Sequence, residues 1–425
     1  MAAGLSASLV PGPGGTAPLA PPARTALASS LRKTFVQGHT LEPKWRREQL
    51  KALRRMITEN EDRICESVGK DLGKSSHETV IAEVQPLINW IDLALSSLSD
   101  WMRPEIQMPA PANSPGVASV IKEPLGVVLI IGAWNYPFQL LFAPFIGAIA
   151  AGNAAVLKPS EHAPCTADLV EGLASAYLDL NYFCVVKGGV EETTELLSQR
   201  WDMIFYTGSA QVGKIIHKRA AEHLTPVVLE LGGKSPCYVD EHANVAASAR
   251  RLAWCAFYNL GQTCVRPDYI LCHQKVYEKL KECLVREIKL QYGEDPSKSN
   301  DLSRTPRAHP THFKNLQALV EASKPYVICG GGCKEEECFI EPTVLDFKDD
   351  RGAFEASAAM QGEIFGPILP MLSVDSMDTA MAMIASRNTP LSAYIFTESA
   401  AAKRRFARVE AGGMGVNDCV LHLLE

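Results

Sequence analysis

The segment that most constrains the fold is residues 125–157, which contain no charged side chain. A continuous apolar helix of this length could cross a membrane, but Asn135 and Asn153 interrupt the segment. Its apolar residues fall into a short strand-like run at 127–131 and a helix-like run at 140–151. We therefore predict two buried elements of a globular domain here and no transmembrane segment.

Strand-like and helix-like segments continue to alternate along the chain. The further strand-like runs are 154–157, 182–186, 203–206, 236–239 and the residues around 269 and 395. The further helical patterns are 166–178, 211–222, 245–258 and 276–290. Short buried strands that alternate with helices are typical of a parallel sheet covered by helices on both faces. Because 425 residues exceed what one hydrophobic core usually serves, we predict an α/β protein with two doubly wound domains.

Charge and cysteine content exclude several classes of protein. The formal net charge is −6, whereas a nucleic-acid-binding protein carries a basic surface. The chain has 12 cysteines and no hydrophobic signal peptide, which indicates a reducing compartment, and we expect a cytoplasmic protein. Cys329, Cys333 and Cys338 lie close together, but no second cluster or nearby histidine completes four ligands. We predict no metal site.

Two short motifs carry groups suited to covalent catalysis. Glu230 precedes the glycine pair at 232–233, and Gly261 lies three residues before Cys264. An accessible, partly ionised thiol is a nucleophile, and a carboxylate within reach can activate water to release what the thiol has captured. Taken singly, Cys264 has a second interpretation as a buried small apolar residue. Glu230 taken singly has a second interpretation as a solvated strand end.

The two motifs, Leu-Glu-Leu-Gly-Gly-Lys and Gly-Gln-Thr-Cys, resemble the active-site pair of the aldehyde dehydrogenase superfamily. Their flanks, residues 225–228 and 267–271, are similar to the class 3 branch of that superfamily. The resemblance extends from about Arg46 to Asp418, nearly the whole chain. It implies NAD(P)-dependent oxidation of small aliphatic or aromatic aldehydes to carboxylic acids.

The resemblance also assigns the catalytic residues. Cys264 would attack the aldehyde, forming a thiohemiacetal and then a thioester. Glu230 would activate the water that hydrolyses the thioester. The side-chain amide of Asn135, with the backbone N–H of Cys264, would stabilise the oxyanion.

The pattern of residues 203–214 indicates a phosphate site. A strand at 203–206 leads through Gly208 and Ser209 into a helix, whose free N–H groups favour a phosphate. Gly208 and Gly213 have nearly the spacing of a nucleotide triphosphatase loop, but Ile215 stands where that loop needs a magnesium-binding hydroxyl. The three-glycine dinucleotide fingerprint is absent as well.

By resemblance, the cofactor is NAD, with NADP tolerated. Lys158 and Glu161 would meet the adenosine ribose hydroxyls, where a carboxylate repels a 2′-phosphate. Glu363 and Phe365 would hold the nicotinamide ribose and ring. The cofactor-binding residues that the resemblance implies are Trp134, Lys158, Glu161, Gly208, Ser209, Gly213, Leu231, Glu363 and Phe365.

Three departures from the family pattern lie near these motifs. Gly362 occupies a position usually given to glutamate, so we expect a less rigid backbone there. Arg266 replaces a small residue and could anchor an acidic substrate, narrow the substrate tunnel or point to solvent. Residues 302–306 differ from the family's Gly-Arg-Ile-Ile run and are expected to be locally disordered.

The expected organisation follows the resemblance. It comprises a disordered N-terminal extension at 1–30, an NAD(P)-binding domain at 31–105 and 123–229, an oligomerisation hairpin at 106–122, a catalytic domain at 230–418 and a truncated tail at 419–425. A transit peptide is the alternative for the extension, although its prolines oppose the amphipathic helix that such signals form.

The chain ends before the segments that usually follow in the class 3 branch. The alternative to an active enzyme is therefore a catalytically weak family member that acts as a binding or structural protein. The family's homodimer is expected but doubtful in a chain that ends here, which we expect to be poorly soluble or monomeric. Membrane association through a C-terminal anchor stays open.

Overall fold

The computed structural model describes residues 26–113 and 115–424. Residues 1–25 of the predicted disordered extension, and residue 425 of the predicted tail, lie outside the described residues. Residues 27–30 belong to a helix, so the predicted end of the extension at residue 30 is wrong.

The first lobe consists of helices around one parallel sheet, with a separate hairpin. Its helices are α1 Leu27–Phe35, α2 Pro43–Thr58, α3 Glu61–Leu72, α4 Ser76–Thr79, α5 Gln85–Trp101, α6 Gln139–Ala151, α7 Pro164–Tyr177, α8 Val190–Leu197 and α9 Ala210–Ala221. Its strands are β1 Glu105–Gln107, β2 Ala118–Val120, β3 Val127–Ile131, β4 Ala154–Lys158, β5 Phe183–Val185, β6 Met203–Gly208 and β7 Val227–Leu231. β1 and β2 pair antiparallel with each other as the hairpin.

Within the described residues, β3 to β7 form a five-stranded parallel sheet in the order β5-β4-β3-β6-β7. All five residues of β3 are buried, as expected for a central strand covered on both faces, and β3 has the bounds predicted for this strand. The order of strands reverses between β3 and β6. Open α/β sheets bind ligands at such a point, in the crevice beyond the carboxyl ends of the strands.

The second lobe has the same layered architecture. Its helices are α10 Val245–Phe257, α11 Tyr277–Tyr292, α12 Pro310–Ala322, α13 Arg351–Ala356, α14 Met377–Ala385 and α15 Ala400–Phe406. Its strands are β8 Pro236–Val239, β9 Tyr269–His273, β10 Val327–Cys329, β11 Cys333–Lys334, β12 Phe339–Ile340, β13 Thr343–Asp346, β14 Ile368–Val374, β15 Ser392–Phe396 and β16 Gly413–Val416.

In the part of the chain that is described, the second sheet has seven strands in the order β10-β13-β14-β9-β8-β15-β16. Its strands are parallel except for β10, which pairs antiparallel with β13 at one edge. The prediction of two doubly wound α/β domains is therefore confirmed. The first sheet continues to Leu231, two residues beyond the predicted boundary at 229.

The apolar core is divided in the same way. One cluster of buried side chains spans residues 27–220, and two further clusters are built from residues 237–420. Each lobe therefore has its own hydrophobic core, and the loops at the strand ends are left to form a cleft.

Candidate active site

Four neighbouring strands of the first sheet deliver polar residues to one edge. β3 leads into the loop with Asn135, β4 ends at Lys158, β6 ends at Gly208, and β7 contains Glu230 as its fourth residue. Because these strands are parallel, their carboxyl ends meet at the same edge of the sheet. The second lobe adds the loop that carries Cys264 from the opposite side.

Residues of both lobes line one cavity of about 1450 Å³. Of the residues predicted from the sequence, the cavity is lined by Trp134, Asn135, Lys158, Glu161, Gly208, Ser209, Glu230, Leu231, Cys264, Glu363 and Phe365. Gly213 is not among the lining residues. A Cβ at Gly213 would lie 3.1 Å from Cδ2 of Leu231, so this glycine lets α9 pack closely against β7.

The loop that carries Cys264 has an unusual backbone. Asn259 and Gly261 have φ angles of 52° and 70°, in the left-handed region that favours glycine. A Cβ at Gly261 would lie 2.4 Å from the carbonyl oxygen of Gly366, so no other residue fits without a shift. Nε2 of Gln262 donates to the carbonyl oxygen of Asn259 at 3.0 Å. The thiol therefore lies on a turn with a fixed path.

The surroundings of Cys264 disfavour its thiolate. Burial raises the pKa of this thiol to about 12, and the nearby charges of Glu363 and Glu230 act in the same direction. The backbone N–H groups of Cys264 and Val265 partly oppose the shift. The thiol is therefore protonated at neutral pH, and its activation requires a change in the charges around it.

Asn135 is held by buried groups. Its Nδ2 donates to the carbonyl oxygen of Gln262 at 3.1 Å, and its own carbonyl oxygen accepts from Nζ of Lys74 at 3.1 Å. Lys74 forms a fully buried ion pair with Glu83, with Nζ and Oε1 2.9 Å apart. Lys74 and Glu83 were not predicted, because their spacing in the sequence carries no signal of a shared site. They fix the backbone from which the Asn135 amide projects.

The cofactor half of the cavity combines a charge pair with a helix terminus. Nζ of Lys158 lies 2.6 Å from Oε2 of Glu161. Burial opposes ionisation of Glu161, but the hydrogen bond from Lys158 lowers its pKa below the ordinary value, so Glu161 is a carboxylate at neutral pH. Ser209 is the N-cap residue of α9, and its Oγ accepts from the N–H of Val212 at 3.3 Å.

His312 was also missed, because a lone histidine at a helix start is not informative. It lines the cavity with its ring centroid 5.1 Å from that of Trp134 and 6.2 Å from that of Phe365. Burial lowers its pKa to about 3, with a contribution from His309, so the ring is neutral. Its buried Nε2 has no hydrogen-bond partner within the described residues. An unsatisfied buried nitrogen in a cavity wall fits a site that receives a polar ligand.

The family model described as the aldehyde dehydrogenase family matches residues 22–422. The chain belongs to the aldehyde dehydrogenase family. It is 43% identical over 393 residues to a rat protein named aldehyde dehydrogenase, dimeric NADP-preferring, covering 92% of this chain and 85% of the relative. It is 43% identical over 398 residues to mouse aldehyde dehydrogenase family 3 member A2, covering 92% and 79% of the two chains. The class 3 assignment is therefore confirmed.

Solved structures of aldehyde dehydrogenases share this fold. The substrate-bound state of AldH from Staphylococcus aureus has a TM-score of 0.89 and 40% identity, covering 93% of this chain and 85% of that one. The aldehyde dehydrogenase from Mycobacterium tuberculosis complexed with NAD⁺ has a TM-score of 0.82 and 26% identity, covering 93% and 82%.

Two departures of this aldehyde dehydrogenase from the family pattern behave differently from expectation. Arg266 neither points to solvent nor lines the cavity, because it is 2% exposed and its guanidinium bonds to backbone carbonyls. Residues 302–306 are not disordered. Ser303 and Thr305 are fully buried, and the N–H of Thr305 donates to the carbonyl oxygen of Cys338 at 2.9 Å. Contacts with distant residues order a segment whose sequence looked irregular.

The expectation of a less rigid backbone at Gly362 stays a prediction. A Cβ at this position would meet nothing within 4 Å, so the missing side chain removes no close contact. The Gly362 carbonyl oxygen accepts from Nζ of Lys234 at 3.0 Å, which anchors the backbone directly.

In residues 26–113 and 115–424, every helix is too short or too polar to span a bilayer. No group of three or more His, Cys, Asp or Glu side chains in these ranges is arranged to hold a metal ion.

Proposed function

We propose that this aldehyde dehydrogenase oxidises aliphatic or aromatic aldehydes to carboxylic acids, with Cys264 as nucleophile and NAD or NADP as cofactor. One observation carries the proposal: a single cavity is lined by the thiol of Cys264, the carboxylate of Glu230, the amide of Asn135 and the Lys158–Glu161 pair. These are the groups that an acyl transfer to water needs, next to a place for a dinucleotide.

The residues present fit a nicotinamide dinucleotide. The start of α9 offers free backbone N–H groups to a pyrophosphate, and the Glu161 carboxylate can accept a bond from a ribose hydroxyl. Nε2 of His312, which has no hydrogen-bond partner in the described part of the chain, and the carboxyl group of Glu363 remain for the nicotinamide half. When bound, the cofactor supplies the acceptor of the hydride that leaves the aldehyde carbon. The name of the rat relative as NADP-preferring, and the NAD⁺ complex of the M. tuberculosis enzyme, support both cofactors.

The chemistry assigned to the chain begins at Cys264. The thiol gives up its proton to water in the cavity, the thiolate so formed adds to the aldehyde carbon, and the resulting oxyanion receives a hydrogen bond from Asn135. One N–H of the Asn135 amide is used by the carbonyl oxygen of Gln262, and the amide nitrogen carries a second. Removing one such donor typically costs about 10²–10³ in turnover.

Oxidation leaves a thioester on Cys264, which has to be hydrolysed. Glu230 takes a proton from water, and the hydroxide adds to the thioester carbonyl and expels the thiolate. Glu230 is an exposed residue of the cavity wall, so water reaches it. A base in that position lets hydrolysis release the carboxylic acid and return Cys264 to its free form.

We assign functions to the lobes on the same basis. Residues 31–105 and 123–231 hold most of the cofactor, and residues 232–418 supply the nucleophile together with Glu363 and Phe365. The hairpin at 106–122 is proposed as an association surface, because Ile106, Met108 and Val117 are exposed apolar residues there. Sedimentation velocity should show weaker self-association in Met108→Ser, and identical behaviour of the variant and the wild type would contradict this assignment.

The test of the function compares two cysteine variants. Cys264→Ala should lose aldehyde-dependent NADH or NADPH formation but keep cofactor binding, because other residues hold the cofactor. Cys184→Ala is the matched control, since Cys184 is also partly buried but does not line the cavity. Turnover that survives in Cys264→Ala, or a wild type that binds cofactor without oxidising any aldehyde, would overturn the proposal.

A further inference from the structure

We propose that Arg266 is a positioning residue, which fixes the segment with Glu363 and Phe365 against the loop with Cys264 and so controls how tightly the nicotinamide cofactor binds. The inference rests on the proposed function, because that function assigns Glu363 and Phe365 to the nicotinamide half of the cofactor. Arg266 itself does not line the cavity. Its effect on the cofactor therefore passes through the backbone that it holds and through the positive charge that it places near Glu363.

The guanidinium joins two chain segments about 100 residues apart. Its Nη2 donates to the carbonyl oxygen of Ile368 at 2.7 Å, Nη1 donates to that of Gly366, and Nε donates to that of Pro267 at 3.0 Å. The carboxylate of Asp268 lies 3.9 Å from Nη2. A planar guanidinium can bond two carbonyls two residues apart at once, which a lysine ammonium does less well.

Stability alone does not explain this arrangement. Burying a cation costs several kcal/mol, and the partners here are mainly neutral carbonyls. What the arrangement does provide is a fixed geometry at the start of β14. Arg266 lies two residues after Cys264, so the same bonds tie the nucleophile loop to residues 363–368.

Residues 363–368 need such a restraint. Phe365 has a φ angle of 52°, a left-handed conformation that is strained for a non-glycine residue and persists only when the surroundings enforce it. Its ring lies 5.4 Å from that of Trp134 across the cavity wall. Arg266 donates to the carbonyl oxygen of the next residue, Gly366, and so restrains the backbone at the strained residue.

The chain leaves room for the guanidinium. A Cβ at Gly261 would lie 2.7 Å from Nη1 of Arg266, so the glycine of the nucleophile loop is also required by the tether. The other end of the segment is held separately, because Oδ1 of Asp268 accepts from the N–H of Ile364 at 3.1 Å. Loss of Arg266 should therefore loosen Phe365 and Gly366 while Ile364 stays anchored.

The test uses the 425-residue chain and a matched pair of variants. In Arg266→Met the side chain keeps much of its volume but loses every donor. Arg46→Met is the control, because Arg46 is 4% exposed and also donates to backbone carbonyls, of Thr40 at 2.8 Å and Ala150 at 3.1 Å, but does not line the cavity. NAD⁺ affinity is measured by calorimetry without substrate, the KM values for NAD⁺ and aldehyde by turnover, and the thermal midpoint by calorimetry.

Arg266→Met should weaken NAD⁺ binding about tenfold or more and change the aldehyde KM by less than threefold. Arg46→Met should lower the thermal midpoint comparably but leave NAD⁺ affinity within twofold of wild type. Hydrogen exchange of the peptide that covers residues 363–368 should accelerate in Arg266→Met and not in Arg46→Met. If Arg266→Met does not fold, Arg266→Lys against Arg46→Lys should show the same difference, with about threefold weaker NAD⁺ binding.

Equal NAD⁺ affinity of the Arg266 variant and the wild type, or an equal loss in both arginine variants, would overturn the inference. A wild type that binds NAD⁺ but oxidises no aldehyde would overturn the proposed function alone, because the binding comparison still holds. A wild type that binds neither NAD⁺ nor NADP⁺ would overturn both.

Discussion

Replacing Glu363 with glutamine should make Cys264 more reactive, and more so in alkaline than in neutral solution. Burial, followed by the charges of Glu363 and Glu230, raises the pKa of Cys264 from the ordinary 9.0 to about 12. Burial and the charge of Asp268 raise the pKa of Glu363 itself to about 8. Glu363 is therefore charged at pH 9.5 and mainly protonated at pH 6.5, and it opposes the thiolate only in the first case.

The size of the effect follows from these values. A pKa of about 12 leaves about 10⁻⁴ of the Cys264 thiol ionised at pH 8, against about 10⁻¹ for an ordinary thiol. The thiolate fraction is thus about a thousandfold smaller, but each thiolate is more basic and therefore about 20-fold more nucleophilic. Alkylation should be about 50-fold slower than for an ordinary thiol. Removing one nearby charge should raise the rate about three- to tenfold at pH 9.5 and less than twofold at pH 6.5.

The assay is timed labelling with iodoacetamide, followed by mass spectrometry of the peptide that contains Cys264, so that the other 11 of the 12 cysteines do not interfere. Glu241→Gln is the control, since this carboxylate pairs with Lys275 and does not line the cavity. A wild-type labelling midpoint near pH 9, or equal rates for Glu363→Gln and wild type at pH 9.5, would refute the reasoning.

Three further carboxylate variants give separate tests. Glu230→Gln should produce a burst of NADH without steady turnover in stopped-flow measurements, because hydrolysis of the thioester stalls, whereas an equal loss of both phases would mean an earlier role. Glu161→Gln should raise the ratio of kcat/KM for NADP⁺ to that for NAD⁺, because the charge that repels a 2′-phosphate is removed, and an unchanged ratio would contradict its place at the ribose. Burial raises the pKa of Glu78 from 4.5 to about 7. The folded state therefore binds the Glu78 proton more tightly than the unfolded state does. The stability that this proton provides is complete below pH 4.5 and is lost as the pH rises through 7. In the wild type, the free energy of unfolding in urea should fall by about 3 kcal/mol between pH 4.5 and pH 7, and in Glu78→Gln this fall should be absent. The same pH dependence in the variant and the wild type would contradict the prediction.

The strands of the first sheet could be predicted because their signal is local. β3 consists only of valine, leucine and isoleucine, and such a run needs no information from the rest of the chain. α8 was missed for the opposite reason. Its sequence, Val-Glu-Glu-Thr-Thr-Glu-Leu-Leu, is mainly polar, and only its last two leucines are buried. β10 to β13 were also missed, because each is only two to four residues long and too short to give a strand pattern.

The residues of the candidate site also differ in whether a local sequence pattern predicts them. Glu230 and Cys264 could be recognised because each lies in a short motif, and the lining of one cavity by both is consistent with that interpretation. Arg266 could not be interpreted, because its partners Gly366 and Ile368 lie 100 and 102 residues away. Ser303 was misjudged for a similar reason, since its Oγ donates to Oε2 of Glu78 across the lobes at 3.2 Å. Side-chain direction is set by packing between segments that no local pattern connects.

In the proposed mechanism, Cys264 carries the substrate as a thioester. The most direct measurement is peptide mass spectrometry of Glu230→Gln after mixing with an aldehyde and NAD⁺ and quenching in acid. The account predicts an added mass equal to the aldehyde less two hydrogens on the peptide that contains Cys264, and no adduct when NAD⁺ is omitted. An acyl group on any other cysteine, or full product formation by Cys264→Ala without an adduct, would contradict the account.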